Sequence, residues 1–185
     1  MLNHTRRRRG LLPGLLVLVS TLLVSVLFMP ALGAAARDRE ANKVLEFETM
    51  APVSGPFVGT ANPVRGFNGG GLPWVVASAE GKLSASGAIE VRVRGLVLDP
   101  NDPRVIAAGL AGVNPIDHFA VWVSCLTNDA PRDPGTPVTA GLFPATRTGN
   151  MEAKGHVNLP RPCVAPVVFV TSPANAWFAA TGVGR

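Results

Sequence analysis

The stretch Phe119-Ala-Val-Trp-Val-Ser-Cys-Leu126 decides the fold of this chain. It is uncharged and rich in β-branched and aromatic residues, the composition of a strand. Phe119, Val121, Val123 and Cys125 share one face, while Ala120, Trp122, Ser124 and Leu126 share the other. Apolar residues on both faces mark a central strand, covered on one side and at least partly on the other. Cys125 is one of two cysteines, and Cys163 lies 38 positions further on. In an exported chain two cysteines read as one disulfide.

Export is the reading of the N-terminus. Arg6, Arg7, Arg8 and Arg9 form a positive block, an apolar run follows from Leu11 to Phe28, and Pro30 leads into the small residues 31–36. This is the layout of a signal peptide over residues 1–36, with cleavage between residues 33 and 37. The alternative is an uncleaved anchor. The clean apolar part, Leu15–Phe28, has 14 residues, short of the roughly 20 that span a bilayer core. The arginines resemble a twin-arginine signal only weakly, and no cysteine follows the apolar run to carry a lipid. Of 17 basic and 12 acidic residues, four basic ones sit in that block, so the rest of the chain is nearly neutral. The basicity belongs to the export signal and does not point to nucleic acid. Membrane contact is expected only through the N-terminal segment if it stays uncleaved, and the location is the secreted space or the exterior of the cell envelope.

Beyond the signal, residues 37–71 read as an N-terminal strand (Val44–Thr49) followed by a Gly/Pro-rich loop or disordered arm over residues 51–71. The main domain is expected over residues 72–185. Strands are expected at Pro73–Ala79, Ile89–Leu98, Val138–Phe143, Met151–Leu159, Val164–Thr171 and Ala176–Thr181, with a turn at Glu80-Gly81-Lys82 and a hairpin partner at Leu83–Ser86. Ile89, Val91 and Val93 alternate with Glu90, Arg92 and Arg94, and the apolar phase slips at Gly95, as at a bulge or a corner. Asp102-Pro103 begins a short helix that places Ile106, Leu110 and Val113 on one face, with Gly109 and Gly112 weakening it. The sum is an all-β fold, an antiparallel β-sandwich of about eight or nine short strands, Ig-like or jelly-roll-like in architecture. Trp122 and Cys125 point to opposite faces, unlike the stacked Trp and disulfide of immunoglobulin domains.

Each constellation that could carry chemistry has a plainer reading. Asp117-His118 with Ser124 nearby has the residue types of a hydrolase triad, but neighbours diverge in an extended chain and there is no Gly-x-Ser-x-Gly elbow. Asp99, Asn101 and Asp102 offer oxygen ligands, yet lack the glycine and glutamate of a calcium loop and suit a capped turn. Glu46 and Glu48, Glu90 with Arg92 and Arg94, and His156 fall on solvated strand faces. The cysteines and histidines have no zinc-ligand spacing, and the triple glycine at 69–71 has no phosphate-loop sequence after it. Trp74, Trp122 and Trp177 could form a carbohydrate platform, but tryptophans in apolar strands are more often core. The expectation is therefore a secreted, non-catalytic module with no catalytic, metal or cofactor residues and an unknown partner. A hydrolase using Asp117 and His118 and a membrane-tethered ectodomain are the alternatives.

Overall fold

Ile89, Val91 and Val93 are buried while Glu90, Arg92 and Arg94 are exposed, so the cleanest alternation in the sequence is realised as a strand with one wet face. The computed structural model describes residues 42–127 and 135–182. The expected signal segment, with Arg6–Arg9 and the possible tether, lies outside these residues.

In chain order the first strands are β1 (Lys43–Phe47), β2 (Ala51–Pro52), β3 (Trp74–Val75), β4 (Ser78–Ser84), β5 (Ala88–Arg94) and β6 (Val97–Leu98). A short helix, α1 (Pro103–Ala107), follows, then β7 (His118–Leu126), β8 (Thr136–Pro144), β9 (Met151–His156), β10 (Val164–Thr171) and β11 (Trp177–Ala180). They form one sheet in the order β1-β4-β5-β9, a second in the order β2-β11-β10-β7-β8, and a two-stranded ribbon of β3 and β6. All named strand pairs are antiparallel. The fold is thus all-β and antiparallel.

β7 occupies the interior position that its sequence calls for, between β10 and β8. Phe119, Val121, Val123 and Cys125 are fully buried. They belong to a continuous apolar cluster with Leu83, Ile89, Val91, Val93 and Met151 from the four-stranded sheet. On this face Trp74 stacks on Phe178 with ring centres 4.0 Å apart, and Phe119 meets both edge-on. The opposite face of the five-stranded sheet carries a second aromatic group. Trp122 pairs in register with Phe169, and Phe67 lies against both, 5.7 Å and 4.8 Å away. Trp177 and Phe57 extend this group.

Residues 53–71 supply the cover for that second face. Val53 N–H donates to Phe178 O, Gly70 N–H to Trp177 O, and Trp177 N–H to Asn68 O. The stretch read as a loop or arm is therefore tied to β11 by backbone hydrogen bonds. Close approach explains its glycines. A Cβ on Gly70 would come within 3.1 Å of both the Trp74 indole nitrogen and the Phe178 ring, and one on Gly69 would run into the Phe57 carbonyl.

Several expectations need correction. Glu80-Gly81-Lys82 is not a turn but the middle of β4, paired with Arg92, Val91 and Glu90 of β5. Gly81 is there because the Phe47 ring sits over it; a Cβ would come 2.5 Å from that ring. The hairpin turns instead around Gly87, at φ +93°. The strand expected over residues 73–79 is split between the ribbon and β4. In α1 the buried residue is Val105, whereas Ile106 is exposed. Five residues give the helix little more than one turn, so a stripe continuing to Val113 does not form.

Other local readings hold. Asp102 caps α1 by accepting from Arg104 N–H at 2.9 Å, with Pro103 at the first helical position. At Gly95, φ +62°, the chain leaves the four-stranded sheet for the ribbon. Asn114 is buried in its turn, with its side chain bonded to the Ile116 backbone and to Thr146 O. Cys125 and Cys163 form a disulfide between β7 and the entry to β10, with Cα atoms 4.9 Å apart.

Candidate functional site

Arg65 lies at the tip of a very tight hairpin. Val64 and Phe67 exchange both backbone hydrogen bonds, each 2.9 Å, leaving Arg65 and Gly66 as the two turn residues. Both have positive φ, +50° and +81°, the signature of a type I′ turn, which favours Asn-Gly. The hairpin places Phe67 against Trp122 and carries Arg65 over the start of β10, where Nη2 donates to Ala165 O at 3.1 Å. Ala165 is itself left-handed, at φ +46°.

Among the described residues three non-glycine positions have positive φ: Arg65, Ala165 and Asn175. All three gather here, since Arg65 and Asn175 line one groove and Ala165 holds Arg65 from behind. Such conformations cost roughly 1–3 kcal/mol each for ordinary residues, and they concentrate where a surface is shaped for binding. The groove has a volume of about 640 Å³, within the range of small-molecule sites. One wall is the Gly59–Gly71 stretch, another is Trp122 with Gly135 and Pro137, and the turn at Ala174–Ala176 closes the end.

Its polar atoms are underused. Of the residues lining it, Arg65 Nη1 and Trp122 Nε1 are buried without hydrogen-bond partners; Ser124 Oγ and Trp177 Nε1, likewise unpartnered, belong to residues buried behind its walls. Ser124 and Arg65 flank the same backbone point, for a Cβ on Gly135 would run into Ser124 Oγ and lie 3.5 Å from Arg65 Cδ. No acidic side chain lines the groove among the described residues.

Of the residues singled out in the sequence, Trp122 and the glycines Gly69 and Gly71 line this groove, and the others lie elsewhere. His118 opens β7, exposed, and Ser124 lies six residues along the same strand, about 20 Å away at the usual rise. Asp117 uses its backbone carbonyl to close the β7–β8 end onto Ala145 N–H. Asp99 accepts from Asn101 N–H, and Asp102 caps α1 and pairs with Arg104. That pairing, chiefly its hydrogen bond to Arg104, holds the Asp102 carboxyl below its ordinary value. No group of three or more His, Cys, Asp or Glu side chains able to hold a metal occurs among the described residues.

The wet face of the four-stranded sheet is a charge ladder. Arg92 bridges Glu80 and Glu152, and Lys82 meets Glu90. The bonds to Glu80 and then Glu152 raise the Arg92 guanidinium above its ordinary value. Glu46 pairs with Lys43. Of the tryptophans, Trp74 and Trp177 are core and Trp122 is half-buried at the groove.

Arg65 escaped the sequence reading because its role rests on a positive φ, which only glycine advertises. The signal that could have found it is the two-residue spacer Arg65-Gly66 between Val64 and Phe67, a hairpin turn with arginine where asparagine is usual. No family model matches the chain, and no curated protein or solved structure matches it.

Proposed function

We propose that the chain is an exported, non-catalytic binding module. Its two sheets face one another as a β-sandwich, and the groove between the 53–71 cover and β7 holds a small ligand. The observation that carries this reading is the groove itself: two buried polar atoms without partners, Arg65 Nη1 and Trp122 Nε1, beside an aromatic pair, with the left-handed Arg65 and Asn175 in its lining and the left-handed Ala165 holding Arg65. Leaving a buried polar group unpaired costs about 1–3 kcal/mol, a shortfall that a bound molecule removes. The single apolar cluster with residues from both sheets supports the sandwich. The disulfide suits an oxidising compartment outside the cytoplasm, in keeping with a signal peptide cleaved between residues 33 and 37.

Native mass spectrometry of the chain recovered from its exported fraction tests this reading. The expected result is an N-terminus between residues 34 and 37 and an added small-molecule mass that disappears in Trp122→Ala. Retention of residues 1–33 would favour the tethered form. Turnover of a hydrolase substrate that is lost in His118→Ala would contradict the non-catalytic reading.

A further inference from the structure

The tip of the 64–67 hairpin bears a residue that its geometry disfavours. Left-handed backbone costs an ordinary L-residue roughly 1–2 kcal/mol, and asparagine or glycine would relieve it. Arg65 is kept there, with one guanidinium nitrogen fixed by Ala165 O and the other unpartnered. With no acidic side chain lining the groove among the described residues, this arginine is a cation awaiting an anion, and its planar fork suits a carboxylate.

The other unpartnered atom of the lining agrees. The indole N–H of Trp122 only donates. An acceptor-only group complements this set, whereas an amine would meet a cation and a fixed donor. Beside them the Phe67 and Trp122 rings, 5.7 Å apart, offer an apolar surface.

We infer that the groove binds a small organic acid, a carboxylate carried on a planar ring or compact apolar body. The carboxylate pairs with Arg65, and the ring lies against Trp122 and Phe67. Arg65 is half-buried and lines the groove, so rotation about its outer torsions exchanges the Ala165 contact for one with the entering oxygen. The inference rests on reading the groove as a binding site and adds the chemistry of its occupant.

Titration calorimetry of the chain as purified from its producing cells tests it with four probes: phenylacetate, uncharged phenylacetamide, acetate and inorganic phosphate. Phenylacetate is expected to bind. The other three each lack the charge or the ring and are expected to bind about tenfold or more weakly. Arg65→Asn is expected to lose a similar factor for phenylacetate while melting no lower than wild type, because asparagine suits the turn. That pairing separates ligand recognition from structure. Equal binding of phenylacetamide overturns the carboxylate and leaves the groove a binding site. Equal binding of phosphate overturns the ring. Silence with all four overturns the inference, and the groove reading then stands or falls on the Trp122-dependent mass.

Discussion

Gly70 and Asp102 show how single residues fix local structure here for opposite reasons. A Cβ on Gly70 would sit 3.1 Å from both the Trp74 indole nitrogen and the Phe178 ring, so these two buried, stacked rings would have to shift by a few tenths of an ångström to admit it. Gly70→Ala is therefore expected to destabilise the fold by about 1–3 kcal/mol, the usual cost of overpacking, as read from urea unfolding. Gly71 has open space around it, so Gly71→Ala serves as the control with little change. Asp102 acts through a charge and a cap. Its carboxyl is depressed below 3.8 by the hydrogen bond to Arg104, so ionisation favours the folded state. That contribution is fully present above about pH 3.8, the unfolded value, and is lost as pH falls through the lower folded value. Asp102→Asn keeps an Ncap acceptor but not the charge. Its deficit against wild type should be present at pH 7 and shrink as acid is added; thermal melts across that range check it, and a deficit independent of pH would argue against the ion pair.

At the scale of elements, the disulfide and the 53–71 cover serve one site. Cys163 is two residues before Ala165, whose carbonyl holds Arg65. Replacing both cysteines by alanine is expected to lower stability by about 4 kcal/mol, from the entropy of closing a loop of this length. It should also weaken phenylacetate binding under conditions where the variant stays folded. Undiminished binding there would show that the bridge does not position Ala165. The bridge was legible because two cysteines leave one pairing within the chain, and β5 and β7 were legible because alternation and two-sided hydrophobicity are written in residue order. The cover was not. Its order comes from backbone hydrogen bonds to β11 and from aromatic contacts with residues about a hundred positions away, which no local window contains. The misplaced turn at Glu80-Gly81-Lys82 has the same origin. A glycine next to charges signals a turn locally, but Gly81 is in a strand because Phe47 of β1 packs over it.

For the whole molecule, the two faces of the five-stranded sheet divide the work. One joins the core shared with the four-stranded sheet, while the other, covered by residues 53–71, bears the groove. The strand that organises the fold from its sequence thus also lends Trp122 to the site, a role that its apolar alternation concealed. The central claim is that this groove, and not the charge ladder of the four-stranded sheet or the exposed His118, is where a ligand binds. The most direct measurement follows the backbone and indole N–H resonances by NMR as phenylacetate is added. The account expects the Trp122 indole and the Arg65 and Gly66 amides to shift with one saturating curve, while the Trp74 indole in the core stays in place. Shifts confined to the β4–β5–β9 face, or to His118, with the Trp122 indole unmoved, would contradict it.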